Sequence, residues 1–241
     1  GIRIYNCTDV ELVNVKVLIA AVGLDIGDSK NVSAANVTVC HACYGLYIRH
    51  SGNVSIADVT VRFAGDYGLG IADSGNVSVA NATVHHAGWD GLCIDNSTNV
   101  SVAGAAVRDA ECGLGIYKSG NVTVADVSVL EASCGLYVKD SVCEVRGSSF
   151  GAPLAVYGGE VRFTNTTALG LPCVTLTGGV LKGGEYGYVF ALGGELRDAV
   201  AYGLSVHARG FRAVNVTVPS AYDGVIIYGS GNVSVAGATV H

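Results

Sequence analysis

The sequence predicts an all-β chain, a single-stranded right-handed parallel β-helix of about 11 coils with three short strands in each. Three observations carry that prediction. A unit of 22 or 23 residues recurs through the first 140, opening on Gly-Leu-x-Ile/Val at Gly23, Gly45, Gly68, Gly91, Gly113 and Gly135. Inside each unit, apolar residues alternate with polar ones in three short runs. Between the runs, each turn position accepts only a few residue types.

The strands come first. Counted from the opening Gly, apolar residues return at offsets 1 and 3, then 9 and 11, then 14 and 16. In the third copy these are Leu69 and Ile71, Val77 and Val79, Ala82 and Val84, while Gly70, Ser78 and Thr83 alternate outward. One coil is too thin to bury its own apolar side. Stability therefore comes from the coils above and below, which build three parallel sheets around a narrow aliphatic core.

The turns argue the same fold independently. Offset 13 holds Asn14, Asn36, Asp58, Asn81, Gly104 and Asp126, all types that visit the left-handed region at low cost. Offset 8 holds Asp9, Asn31, Asn53, Asn76, Asn99 and Asn121, with Asn232 in the coil opening at Gly224. Amides stacked at about 4.8 Å are expected to bond along the axis as a ladder. Offset 6 is a serine column, Ser29, Ser51, Ser74, Ser97, Ser119 and Ser141, which suits a tight hydrogen-bonded bend.

The chain reads as one domain over 1–241, with regular coils at 1–142, shorter coils at 143–202 and regular coils again at 203–241. In the middle stretch Leu154-Ala-Val-Tyr-Gly-Gly, Val174-Thr-Leu-Thr-Gly-Gly and Tyr188-Val-Phe-Ala-Leu-Gly-Gly are related, and a Gly-Gly turn replaces the longer one. The stack predicts a rod roughly 50 Å long.

Half of the residues are apolar, 14% are charged and the net charge is −6. That composition lacks a basic footprint for nucleic acid, and the alternation leaves no segment resembling a membrane span. The chain contains no Met and starts at Gly1, so it is expected to be a processed chain or a segment of a longer one. Eight cysteines are many for a cytosolic protein. Cys112 and Cys134 precede the opening Gly of successive coils, one rung apart, which brings a disulfide within range. Two thiols packed in a turn column are the other reading.

Of thirteen asparagines, twelve lie in Asn-x-Ser/Thr. Repetition of Asn-Val-Ser explains those of the offset-8 ladder at Asn31, Asn53, Asn76, Asn99 and Asn121. Asn6, Asn36, Asn81, Asn96, Asn165 and Asn215 lie in other turns, and N-glycosylation is expected there in an exported chain. Cysteines and sequons together point to an extracellular or cell-surface location.

The Gly-Leu-x-Ile, Ser-Gly-Asn-Val-Ser-Val and Ala-x-Val elements resemble the parallel β-helix repeats of the pectin-lyase-like superfamily. Most of all they resemble the NosD-like, PbH1-type repeats of archaeal surface proteins. The resemblance covers nearly the whole chain, least well 143–203. It implies the fold; for function it implies a range from polysaccharide lyases, epimerases and hydrolases to tailspikes and adhesins.

An enzyme of this kind is expected to carry clustered carboxylates with Arg or Lys on one sheet face. The outward offset-2 column, Arg3, Asp25, Tyr47, Gly70, Cys93, Gly115 and Tyr137, has one carboxylate. At offset 5, His50 between Asp28 and Asp73 has the residue types of an acid/base trio, although a solvated turn edge is the ordinary reading. Asp90 and Asp223, immediately before an opening Gly, and Asp66, two residues before one, read as turn caps. Cys40, His41 and Cys43 lack a fourth zinc ligand, and His85 and His86 stand two coils away, about 9.6 Å, too far to supply one. Trp89 and Phe63 have the flat faces sugars stack on, but read first as packing. The expectation is therefore no catalytic residue, no metal, no cofactor and no enzymatic activity.

The first and last coils carry no amphipathic cap. Ile2 and Ile4 are in phase to lie over Val225 and Ile227 of another copy, a heterologous contact that repeats into a filament. Flanking coils of a longer chain are the other partner for these ends. The sequence thus favours an extracellular structural or adhesive rod that stacks head to tail. A carbohydrate-active enzyme, or a module binding surface glycans, is the alternative.

Overall fold

The computed structural model describes residues 1–219 and 224–240, without the side chains of 169–173. Asp223 therefore lies outside the described residues. Every described strand pairing is parallel, and the chain winds through about ten turns of a β-solenoid. Among the described residues there is no helix, and hence none long and apolar enough to cross a membrane.

Register follows the repeat. Leu24 pairs with Leu46, Leu46 with Leu69, Leu69 with Leu92, Leu92 with Leu114 and Leu114 with Leu136. These leucines and the Val and Ile columns beside them are almost wholly buried in one continuous core. Strand boundaries differ from expectation in some coils. Thr8–Gly27 and Lys30–Arg49 each run on as one 20-residue strand, because the bends keep pairing with the coil above and do not interrupt the ladder.

The turn columns show why only certain residues occupy them. All of Asn14, Asn36, Asp58, Asn81, Gly104 and Asp126 have φ between 53° and 64°. The offset-8 column lies between 53° and 56°, and its amides form a chain in which Asn53 Nδ2 donates to Asn31 Oδ1 (3.1 Å), Asn76 to Asn53 (3.1 Å), Asn99 to Asn76 (3.0 Å) and Asn121 to Asn99 (2.6 Å). The serine column is buried and two-sided. Ser74 Oγ donates to the Ala72 carbonyl at 2.7 Å and accepts the Ser51 N–H at 3.1 Å, and the pattern repeats from Ser29 to Ser141.

Past Leu136 the coils shorten, and successive pairings run Leu136 to Leu154, Leu154 to Val174, Val174 to Val189 and Val189 to Leu204. Gly158, Gly159, Gly178 and Gly179 turn these coils with φ of 76–82°, a conformation in which a Cβ is strained.

Candidate functional site

One sheet face departs from the small, regular surface of the others. Three rows run along it. The first reads Arg3, Asp25, Tyr47, Gly70, Cys93, Gly115 and Tyr137; the second reads Arg49, Ala72, Asp95, Tyr117, Lys139 and Tyr157. In the third, Asp90 pairs with Cys112 and Cys112 with Cys134.

A bulge positions Asp90. Between the Ala87–Ala110 and Asp90–Cys112 pairings the lower coil has one residue more than the upper, so the ladder slips at Gly88 and Trp89. Gly88 fits because a Cβ there would sit 2.0 Å from the Gly65 carbonyl oxygen. The slip throws Trp89 outward, 57% exposed, edge-on to Tyr67 with ring centres 6.0 Å apart. It also turns the Asp90 carboxylate over Gly115. A Cβ on Gly115 would fall 2.5 Å from Asp90 Oδ2 and 2.6 Å from the Tyr117 ring, so this glycine is the floor that lets both side chains meet.

The Tyr117 hydroxyl donates to Asp90 Oδ2 at 3.2 Å. Asp90 is only 7% exposed, and burial raises its carboxyl above the usual range, partly offset by hydrogen bonds from Cys93 and Tyr117. Burial likewise pushes the Tyr117 phenol well up, so it remains a proton donor toward Asp90. Together Trp89, Asp90, Glu111, Cys112, Tyr117 and Tyr137 line a cleft of about 490 Å³. Tyr117, Tyr137 and Tyr157 stack beside it with centres 5.4 and 5.2 Å apart. A cleft with aromatic walls and one buried, protonatable carboxylate has the parts for stacking a sugar ring and moving a proton.

Asp90 had read as a turn cap and Trp89 as packing; the bulge makes both of them cleft residues. Cys112 and Cys134 are register partners and are free thiols. Parallel in-register neighbours hold their Cβ atoms about one rung apart, wider than the usual disulfide separation of about 3.8 Å. The Cys112 thiol donates to the Leu114 carbonyl at 3.6 Å, and its proximity to Cys134, with burial, raises the Cys112 thiol while the Cys134 thiol is lowered beside it.

Other expected positions scatter. His50 Nε2 lies 3.6 Å from Asp73, both about half exposed at the turn edge, and Asp28 is not in that pair. Asp25 is buried and held by Arg3 Nε at 3.0 Å and Arg49 Nη2 at 3.2 Å. His41, Phe63 and His86 stack on another edge, and no group of three metal-ligating side chains occurs among the described residues. Asn6, Asn36, Asn81, Asn96, Asn165 and Asn215 are all exposed at left-handed turns. Four of them, Asn36, Asn81, Asn96 and Asn215, donate Nδ2 to the rung below. Ile2 and Ile4 pair with Leu24 and Ile26, whereas Val225 and Ile227 pair with Leu204 and Val206 at the opposite end.

A family model described as a right-handed β-helix region matches residues 22–168, more than half of the chain, and the chain belongs to that family. No curated protein matches it. Among solved structures it is similar to the A-module of the mannuronan C-5 epimerase AlgE6 from Azotobacter vinelandii, with 14% identity and a TM-score of 0.55 over 97% of this chain and 65% of that one. The catalytic domain of a GH87 α-1,3-glucanase gives 12% identity and 0.56 over 99% and 61%. The periplasmic alginate epimerase AlgG gives 12% and 0.55 over 96% and 74%. The chain spans less than two thirds of the first two structures.

These likenesses are of fold, and they correct the expectation of a non-enzymatic rod. The structures that share the fold are enzymes by name, and the face that seemed to hold one isolated carboxylate also holds Asp90 in a cleft. The carbohydrate-active alternative is the better supported one.

Proposed function

We propose that the protein is an exported carbohydrate-active enzyme that binds a glycan across the aromatic cleft, with Asp90 as its acid–base residue. The observation that carries this is the Asp90–Tyr117 pair, a buried carboxyl whose affinity for a proton is raised, open to a cleft walled by Trp89 and Tyr137. Tyr117 is the hydrogen-bond donor that orients Asp90, and Trp89 is the stacking platform. Polysaccharide epimerases and a glucanase among proteins of like fold support the substrate class. The periplasmic location of one of them, AlgG, with the twelve sequons, supports export.

The test is turnover of a panel of polysaccharides, followed by NMR and by reducing-end release, with the wild-type chain, Asp90→Asn and Tyr117→Phe. Loss of an acid–base residue costs about 10²–10⁴-fold in rate. Asp90→Asn is expected to fall by that amount on whichever glycan is turned over, and Tyr117→Phe by less. Turnover that survives Asp90→Asn would remove Asp90 from the chemistry.

A further inference from the structure

The cleft holds two nucleophilic side chains that the proposed chemistry leaves idle. Cys112 and Cys134 line it together with Asp90 and Trp89. They are register partners on consecutive rungs, and Cys112 is also the register partner of Asp90, so the carboxyl residue and both cysteines form one column. No other two cysteines pair in register among the described residues. Both are free thiols.

The two thiols are not equivalent. Cys112 is buried and its Sγ donates to the Leu114 carbonyl at 3.6 Å, whereas Cys134 is half-buried and follows the exposed Ser133. The neighbouring Cys134, with burial, keeps the proton on Cys112, and the Cys134 thiol is lowered beside it. Thiolate is the attacking form, so Cys134 is the member of the pair that reacts first. Other buried cysteines differ: burial pushes Cys143 up to about 12 and holds Cys93, which hydrogen-bonds Asp90, well above the ordinary thiol range. Those two are inert by comparison.

The spacing permits a bridge between them and makes it labile. Register partners on parallel strands hold their Cα atoms about 4.8 Å apart, inside the range a disulfide spans, but the Cβ atoms must approach by about 1 Å to reach the usual separation of about 3.8 Å. A bond made under that strain is easily reduced. The approach draws on Cys112-Gly113-Leu114-Gly115, all within the strand Ala106–Tyr117. Gly115 is the floor on which Asp90 and Tyr117 meet, with a Cβ position only 2.5 Å from Asp90 Oδ2, so a displacement of Cys112 travels along one strand to the carboxyl.

We infer that Cys112 and Cys134 form a modification site for low-molecular-weight disulfides, and that their cross-linking opens the Asp90–Tyr117 contact. The Cys134 thiolate attacks one sulfur of the small disulfide, a mixed disulfide forms, and the first small thiolate leaves and takes up the proton that Cys134 released. The Cys112 sulfur then attacks Cys134 Sγ, the bond to the small molecule breaks, and the second small thiolate leaves with the Cys112 proton. Two electrons pass from the pair to the small disulfide, which departs as two thiols. An excess of small thiol runs the steps backwards. That the opened contact slows turnover rests on the glycan reading; the cross-link and its effect on the cleft do not.

In the test, the whole chain is equilibrated over a wide range of reduced-to-oxidised glutathione ratios, quenched with iodoacetamide and mapped by peptide mass. Trp89 is the one tryptophan of the chain and lines the same cleft, so its fluorescence reports on the cleft without any substrate. Cys112→Ser and Cys134→Ser, checked for folding by thermal unfolding, are the controls. The wild-type arm decides by itself, so the result does not hang on a variant that misfolds. A Cys112–Cys134 cross-link is expected to form and to be reversed by excess reduced glutathione. Trp89 emission should change in step with it in the wild type and in neither variant, and polysaccharide turnover should fall about tenfold or more. Thiols that stay reduced throughout, a mixed disulfide on Cys134 that never closes, or a cross-link that leaves Trp89 emission or an existing turnover unchanged overturns the inference. A cross-link that shifts Trp89 emission in a chain turning over no glycan in either state removes the glycan reading and leaves the redox site standing.

Discussion

Asp90 sits where burial works against its charge. Its folded carboxyl holds a proton to higher pH than the ordinary value of 3.8, chiefly because it is desolvated. Below that ordinary value both folded and unfolded chains are protonated there and nothing is lost. As pH rises through it, the unfolded chain ionises first, so the folded state loses stability until the folded carboxyl has ionised too. Asp90→Asn cannot ionise and keeps an oxygen for the Tyr117 hydroxyl. It is expected to be more stable than wild type at pH 7, by about 0.5–2 kcal/mol, the ordinary gain on relieving a functional site. That gain should vanish near pH 3, as read from urea midpoints across the range. Equal midpoints at every pH would show that Asp90 is solvated. Gly115→Ala tests the same site sterically, since its Cβ would fall 2.5 Å from Asp90 Oδ2. It should fold and yet lose glycan binding about tenfold or more, because the Asp90–Tyr117 contact must open.

At the scale of a turn column, the two ladders differ in what they protect. Removing the Ser74 hydroxyl strands the buried Ser51 N–H that it accepts, so Ser74→Ala is expected to cost about 1–3 kcal/mol in denaturant unfolding. Asn76 is exposed and its main duty is the left-handed turn, with φ at 55°. Asn76→Gly should therefore be better tolerated than Asn76→Ala, which adds about 1–2 kcal/mol of backbone cost. The reverse order would mean that the amide ladder outweighs the turn. These columns were legible in the sequence because a coil repeats the same conformational demand at a fixed offset. Asp90 was not, because its role depends on a bulge that breaks the offset count and on Tyr117, 27 residues further along the chain. Nothing in the local sequence distinguishes it from Asp223, which also stands immediately before an opening Gly. Trp89 was visible as a residue, but its exposure follows from that same bulge.

Over the whole molecule, stability is a sum of coils and of the contacts between neighbours, so the weakest coils decide where the stack divides. The coil from Leu92 buries Leu92, Ile94, Val100, Val102, Ala105 and Val107. The shorter one from Val189 buries Val189, Ala191, Leu196, Ala199 and Ala201, of which three are alanines. Each missing methylene forgoes about 0.8 kcal/mol. Paired glycines at 178–179, 183–184 and 193–194 add entropy to the unfolded chain. Two cooperative blocks are therefore expected, a stable one over the regular coils and a weaker one around 174–203. Native-state hydrogen exchange should show amides of 24–138 opening at higher free energy than those of 174–203. Leu92→Ala and Leu196→Ala, each worth about 2–5 kcal/mol, should each lower only its own block. If both substitutions shift both regions equally, the short coils transmit cooperativity as well as the regular ones, and the thinner core is offset by packing that coil length does not reveal.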